Sequence, residues 1–251
     1  MIDKLYLGDC LEVMNDIPDG SVDMVLCDLP YGVLNQNNEG AKWDVIIPFE
    51  PLWKQYLRVC KENAAIVLFS SGMFTAKLMM SQPDLWRYNL VWDKCTTTGF
   101  LNANRMPLRQ HEDICVFYRS LPVYNPQMKT GIIHSRQHGN LKNNCYGDYD
   151  MQSHHVITNE YYPTSIIKFS KGADMQNDYH PTIKPTELLQ YLIITYTNKG
   201  NLVLDNTMGS GSTCVAAVKE HRHYIGIEKN KKYYDIAVKR VADAKQSPSL
   251  F

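Results

Sequence analysis

The stretch Val203-Leu-Asp-Asn-Thr-Met-Gly-Ser-Gly-Ser-Thr213 leaves a short apolar run through an acid, turns over two glycines and enters a segment with helical spacing. A buried strand ending at Asp205, a turn at Gly209 and Gly211, and a helix from about Ser212 would form a ligand-binding sheet edge of the α/β kind. The glycines let the backbone come close to a ligand, and the free amides of a helix N-terminus suit an anion such as a carboxylate. Neither common phosphate motif fits. The nucleotide-hydrolase loop needs Gly-Lys-Ser/Thr, and the dinucleotide fingerprint needs a third glycine where Cys214 stands. About twenty residues on, Tyr224-Ile-Gly-Ile-Glu228 ends a second apolar run in an acid, the position that holds ribose hydroxyls in doubly wound sheets. Taken alone, a glycine turn followed by an acid fits a structural turn equally well.

Outward from this stretch the same alternation continues. Apolar runs at 5–7, 22–27 and 66–69 alternate with helical patterns at 10–15, 49–60 and 73–80 in the first third. The alternation returns as helical patterns at 186–197, 212–221 and 231–245 around apolar runs at 202–204 and 224–227, which predicts a sheet covered by helices. Residues 120–164 differ: they are rich in Asn, Gln, His, Tyr, Gly and Ser with little periodicity. A loop-rich stretch of that length in a compact domain points to a functional insert or to disorder. The expected organisation is therefore 1–119 and 165–251 as two halves of one domain, with 120–164 inserted.

At 251 residues and 44% apolar composition, the chain can bury a substantial core, which excludes a disordered tail protein. Lys plus Arg equals Asp plus Glu at 26 each, yet the charges are segregated. Residues 1–50 hold ten acids and two bases, whereas 51–147 hold twelve bases and five acids. By itself such a block is a solvated face. The seven cysteines are scattered without a C-x-x-C pair, which fits neither a disulfide framework nor a zinc site. No signal-peptide pattern opens the chain, and its longest apolar run, Ala64 to Phe69, falls far short of the ~20 residues of a membrane helix. The expectation is a soluble cytoplasmic protein.

Two further motifs carry chemistry. Asp28-Leu-Pro-Tyr-Gly32 follows directly on the apolar run 22–27 and so would sit at the ligand-binding end of a strand, although an ordinary proline turn has the same composition. His180-Pro-Thr-Ile-Lys-Pro185 stands just before a helix and by itself reads as a helix start.

Together, in this order, the three motifs resemble the amino-group DNA methyltransferases that use S-adenosylmethionine. The resemblance is to the permuted class, in which a catalytic D-P-P-Y precedes the target-recognition region and the cofactor glycine motif D-P-F-x-G-S-G-T-T comes last. H-P-T-Q-K-P of that family is matched by His180 to Pro185 with Ile183 for Gln. Gly8-Asp9-Cys10, Glu228 and Arg109-Gln-His-Glu-Asp-Ile-Cys-Val-Phe117 also look like family segments. Leu29 replaces the first proline of D-P-P-Y, and Asn206-Thr207 replaces Pro-Phe, which removes an aromatic near the cofactor.

The resemblance implies a Rossmann-like α/β fold, with a mixed, mostly parallel sheet, helices on both faces and an inserted recognition region. It implies methyl transfer from S-adenosylmethionine to the N6 amino group of a flipped-out adenine in double-stranded DNA, because Asp at the first motif position usually accompanies adenine. Cytosine N4 is the alternative. An exocyclic amino nitrogen is a poor nucleophile because its lone pair is delocalised, so a catalyst must hold both its hydrogens. By resemblance the acceptors are the Asp28 carboxylate and the Leu29 carbonyl, with Pro30 stiffening the turn and Tyr31 offering a face for the base.

Cofactor contacts are implied for Asp9 and Cys10 at adenine and Glu228 at ribose. Asp205, Asn206, Thr207 and the turn Gly209, Gly211, Ser212 and Thr213 are implied at the methionine end, with Asp28, His180, Thr182 and Lys184 lining the cleft. Asp9 has a second reading as a helix N-cap. In the basic block, Lys94, Arg105, Arg109, Arg119, Lys129, Arg136 and Lys142 are the candidate DNA contacts. A homodimer is implied only by the habit of permuted relatives. A catalytically silent DNA-binding module would be expected to lose Asp28 or Tyr31, and both are present. Methylation at cytosine carbon 5 uses a Pro-Cys nucleophile that no proline here provides. Enzymes acting on protein glutamine have the opposite motif order.

Overall fold

The computed structural model describes residues 2–34, 43–137, 155–170 and 183–246. The chain divides into two compact units, Met1–Asn125 with Ser165–Phe251, and Pro126–Thr164.

The larger unit is built on an eight-stranded sheet. In chain order its strands are β1 (Lys4–Leu7), β2 (Val22–Asp28), β3 (Cys60–Ser70), β4 (Trp86–Thr98), β5 (Arg109–Phe117), β8 (Ile166–Lys168), β9 (Leu202–Asp205) and β10 (His223–Glu228). Across the sheet they lie in the order β1-β10-β9-β2-β3-β5-β4-β8. The five strands from β1 to β3 are mutually parallel, β5 is antiparallel to both β3 and β4, and β8 pairs parallel with β4. This is the mixed, mostly parallel sheet expected.

Alternate residues of each inner strand feed two cores. On β3, Ala64, Ile66 and Leu68 enter one core while Ala65, Val67 and Phe69 enter the other. The first core is closed by α2 (Phe49–Val59) and α3 (Met73–Ser81) through Leu52, Trp53, Tyr56, Phe74 and Leu78. The second is closed by α4 (Thr186–Tyr196), α5 (Ser212–Lys219) and α6 (Lys231–Gln246) through Leu188, Leu192, Val215, Ala216 and Val241. A short α1 (Cys10–Val13) follows β1. Near-continuous apolar strands such as β9 are what burial on both faces demands.

The absent third glycine has a structural answer. A side chain on Gly226 of β10 would strike Met208 Sδ and Cys214 Sγ, so the bare position that lets α5 approach the sheet is on the strand rather than at 214. Gly211, at φ +82°, lies against Ala237 of α6, whose Cβ would be 2.9 Å from any added methyl.

The smaller unit contains an antiparallel pair, β6 (Lys129–Gln137) and β7 (His155–Tyr161), with a register shift between Thr130 and His134. Tyr161 stacks on His134 with ring centroids 4.2 Å apart and donates from its hydroxyl to the Ile132 carbonyl at 2.9 Å. These strands were not legible as such, because Ile132, Ile133 and Ile157 are exposed and leave no one-sided alternation. Residues 120–125 belong to the larger unit, where Asn125 Nδ2 donates to the Ile194 and Thr197 carbonyls. The smaller unit therefore begins six residues after the position at which the texture of the sequence changes. Among the described residues, no helix is long and apolar enough to cross a membrane.

Candidate active site

The order of the sheet reverses between β2 and β9: the chain leaves β2 for β3 on one side, and β9 for β10 on the other. Such a reversal opens a crevice at the carboxyl ends of the strands. Met24 pairs with Val203 and Val25 with Leu204, so Asp28 and Asp205 emerge at that crevice on neighbouring strands. Thr207 ties the two together, its hydroxyl donating to the Asp28 carbonyl at 3.0 Å.

The turn after β2 is held from three sides. Tyr31 donates from its hydroxyl to Asp28 Oδ1 at 2.7 Å, while its ring stacks on Phe74 with centroids 4.9 Å apart. Asp44, buried, accepts the backbone N–H groups of Gly32, Val33 and Leu34 at 2.8, 2.7 and 2.7 Å. Gly32 sits at φ +67°, and a side chain there would meet Ile46. On the other oxygen of Asp28, Lys184 Nζ lies at 2.5 Å. Lys184 is also 3.5 Å from Glu112 Oε2, and Glu112 Oε1 is 3.3 Å from Lys94 Nζ. Two buried lysines and two carboxylates thus form a continuous chain across β2, β5, β4 and the segment before α4.

The electrostatics follow the geometry. Burial lifts the Asp28 carboxyl above the ordinary range, although Lys184 and the Tyr31 hydroxyl pull it down. Burial alone would raise Glu112 too, but Lys184 and Lys94 hold it below its usual value. Lys184 loses solvation, yet Asp28 and Glu112 more than compensate and keep it charged.

Two cavities meet at this chain. The larger, about 1020 Å³ and partly open to solvent, runs along the ends of β1, β10, β9 and β2 and is bordered by Asp9, Cys10, Asp205, Thr207, Gly209 and Glu228, among others. The smaller, about 580 Å³, is bordered by Leu29, Tyr31, Leu34, Asp44, Trp92 and Glu112. Asp28, Trp43, Ile183 and Lys184 border both. Asp28 therefore stands at the wall between a large pocket and a smaller one.

Within the large cavity, Asp205 is only 4% exposed and accepts from the Thr207 N–H at 3.1 Å and from the Thr213 side chain. Burial pushes its carboxyl up to about 7, against the partial relief of the neutral Thr213 and Thr207 donors. Glu228 accepts the Gly209 N–H at 3.0 Å and the Asn230 N–H at 2.7 Å, so it also fixes the glycine turn. Ser212 and Thr213 open α5, whose N-cap is Gly211 with no side-chain cap. Asp9 is indeed an N-cap: its Oδ1 accepts the Leu11 N–H at 2.9 Å while the residue borders the cavity.

Asn206 borders the large cavity, with its Oδ1 accepting from the Tyr56 hydroxyl at 2.6 Å and facing Cys27 Sγ at 3.2 Å, while its Nδ2 is buried with no hydrogen-bond partner among the described residues. Two expectations need correction. Lys94, expected at phosphate, is 3% exposed and engaged with Glu112. Arg119, also expected at phosphate, donates to the Cys60 and Lys61 carbonyls at 2.8 and 3.2 Å. Because β5 runs antiparallel to β3, Arg119 lies beside the start of β3, at the edge opposite Asp28. Arg105 and Arg109 are exposed, and Lys129 is exposed on β6. Arg136 lies on β6, with its side chain outside the described set; His180, Thr182 and Lys142 lie outside the described residues altogether. Sequence reasoning missed Asp44 and Glu112. Glu112 had a signal, since it lies inside the quoted stretch 109–117; Asp44 had none.

Comparison with known proteins identifies the family. Residues 22–239 match the N6/N4 methyltransferase family described as DNA methylase. The type II methyltransferase M.HinfI of Haemophilus influenzae is 25% identical over 276 residues, spanning 99% of this chain and 70% of its own length. Among solved structures, the M1.HpyAVI complex with SAM superposes with a TM-score of 0.65 at 22% identity, covering 95% of this chain and 98% of that one. The cytosine-N4-specific PvuII DNA methyltransferase gives a TM-score of 0.67 at 16% identity, covering 98% of this chain and 92% of that one. At such identities these two structures speak for the fold.

Proposed function

Because this chain belongs to the DNA methylase family, the S-adenosylmethionine-dependent amino-group DNA methyltransferases, we propose that it methylates the N6 amino group of an adenine swung out of double-stranded DNA. The observation that carries this reading is Asp28 at the wall between the two cavities, where a methyl donor on one side would meet a base on the other.

The larger cavity suits the cofactor's charges. Four acids, Asp9, Asp28, Asp205 and Glu228, border it against Lys184 and Lys229, an excess of negative charge that favours a sulfonium and an ammonium. Asp205, buried with no paired cation among the described residues, is the acid an incoming ammonium would satisfy. The uncapped amides of α5 suit the carboxylate, and Glu228 with Asp9 suits the nucleoside end. Bound there, the cofactor supplies an electrophilic methyl carbon.

The chain's own residues do the rest. Each carboxylate oxygen has a lone pair beyond the one already used, so Asp28 can accept an amino hydrogen while keeping Tyr31 and Lys184. Leu29 buries its side chain in the core, and the residue borders the smaller cavity, where its carbonyl would accept the second hydrogen. With both hydrogens held, the nitrogen lone pair is freed from the ring and aimed at the wall. Tyr31, fixed by Phe74 on one side, offers the smaller cavity a rigid aromatic surface. Lys184 favours the ionised form of Asp28 against its burial, and Asp44 holds the loop that follows it. Positioning of this kind accounts for much of the barrier reduction in a transfer that needs no covalent enzyme intermediate. The insert 120–164, containing β6 and β7, is the proposed reader of the target sequence; a two-stranded ribbon is one of the elements a major groove admits.

The test is transfer of labelled methyl from S-adenosylmethionine to mixed-sequence unmethylated duplex DNA, followed by nucleoside chromatography. N6-methyladenine is the expected product. N4-methylcytosine alone would replace the adenine assignment, and absence of label from any DNA would overturn the enzymatic reading.

A further inference from the structure

The hairpin joining β4 to β5 carries a feature that methyl transfer itself does not use. Phe69 of β3 lies opposite both Asp28 and Ile114, and Ser70 lies opposite Asp113. The Arg109 end of β5 therefore projects past the sheet edge that bears Asp28, by roughly 13 Å over four residues. Arg109 Nη1 reaches Ser71 Oγ at 3.2 Å, at the end of β3. The base of the hairpin is the Lys94–Glu112 pair, joined through Lys184 to Asp28.

Its tip is ordered and apolar. Gly99 turns the chain at φ +88°, a helical turn follows at Phe100–Asn102, and the Arg105 and Met106 N–H groups return to the Asn102 carbonyl. Thr98 Oγ1 closes the base by donating to the Arg109 carbonyl at 3.1 Å. On this turn Phe100 is 77% and Leu101 83% exposed, with Met106 and Leu108 exposed beside them. Apolar side chains held out together on a fixed turn mark a contact surface. The charge around them specifies the partner: between 95 and 111 the two bases, Arg105 and Arg109, are both exposed, and there is no acid. Apolar wedges flanked by arginine match a nucleic-acid duplex, with charges for phosphates and wedge for a base step.

We propose that Phe100 and Leu101 form a plug that enters the duplex where the target base has left and stacks against the bases exposed by its departure. This rests on the DNA methyltransferase reading. The plug would offset the lost stacking and hold the base in the smaller cavity, which makes it an element of base extrusion rather than of sequence reading.

The experiment first maps the positions that the wild-type protein methylates in unmethylated plasmid DNA. Absence of methylated positions would sink the methyltransferase reading itself. A duplex of about 30 base pairs around a mapped position is then offered with the target base either paired or opposite an abasic site, where extrusion costs less. The double variant Phe100→Ala, Leu101→Ala, at exposed positions that do not support the core, is expected to lose at least about tenfold in kcat/KM on the paired duplex and to regain most of it on the abasic one. Equal losses on the two duplexes, or no loss on the paired one, overturn the plug. If equal losses accompany dissociation of a dimer in sedimentation without DNA, the tip belongs to a contact with a second copy of the chain.

Discussion

Asp28 and Asp205 end neighbouring strands at the same crevice, yet their surroundings differ. Asp28 has a lysine at 2.5 Å and a tyrosine hydroxyl at 2.7 Å; Asp205 has neutral donors, Thr207 and Thr213, among the described residues and is pushed up to about 7. One acid carries its counter-ion within the chain, and the other has no cation paired with it among the described residues. A half-buried carboxylate already matched by a cation is ready to act as a fixed acceptor, whereas an unmatched buried one is a site whose charge a ligand must complete.

Loss of the matched acid should have the largest effect. Asp28→Ala is expected to lower kcat by at least about 10³-fold, the scale seen when a group aimed at a reacting centre is deleted, while cofactor binding measured by calorimetry persists. Retained turnover would remove Asp28 from the chemistry. The unmatched acid should instead show itself in binding. Asp205→Asn is expected to weaken cofactor affinity by about 1.5–3 kcal/mol, the worth of a hydrogen bond to a charged group. In the wild type the affinity should depend on pH in a definite direction. Below about 7 the Asp205 carboxyl holds a proton that an ammonium must expel, so binding tightens as pH rises toward that value and levels off above it. Calorimetry across pH 6 to 8 should show this trend in the wild type and lose it in Asp205→Asn.

A finer test concerns the pair of charges flanking Lys184. If ionised Asp28 is required, kcat falls as pH drops through its raised pKa. Lys184→Met removes the cation that pulls that pKa down, so the acid limb should move to higher pH; Glu112→Gln removes a negative neighbour that raises it, so the limb should move lower. Shifts in the same direction would break the proposed chain of charges. The smallest effects are expected in the salt dependence of DNA affinity, which should tell the Asp28 edge of the sheet from the opposite one. Arg109→Ala should reduce the salt slope of DNA affinity by about 1, and Arg119→Ala should leave it unchanged. A matching loss from Arg119→Ala would mean that DNA reaches the edge beside Cys60.

Much of this site was legible because its signals are local. A strand that ends in an acid, such as Val22–Asp28 or Leu202–Asp205, is a run of adjacent residues, and so is a glycine turn leading into a helix. Resemblance to a family then supplied the roles. Lys94 shows where that kind of reading stops, since a lysine in a basic block has the same sequence context whether it faces solvent or Glu112. Arg119 shows it again: only the antiparallel course of β5 reveals which edge of the sheet it occupies. Asp44 sits in an unremarkable stretch and gains its role by accepting three N–H groups ten to twelve residues away. The ribbon β6–β7 was illegible for the converse reason, since exposure of both faces removes the alternation by which strands are read.

By itself the sequence determined the class of sheet, the acids at the ends of β2 and β9, and the family, because each rests on the types and order of nearby residues. The tertiary structure alone decided which lysine meets Asp28, a partner 156 positions away, and that the glycine allowing α5 to approach lies on β10. It also decided that, among the described residues, Asp205 has no paired cation while Asp28 has one. Burial and ion pairing are properties of neighbours in space, and only the folded sheet brings these neighbours together.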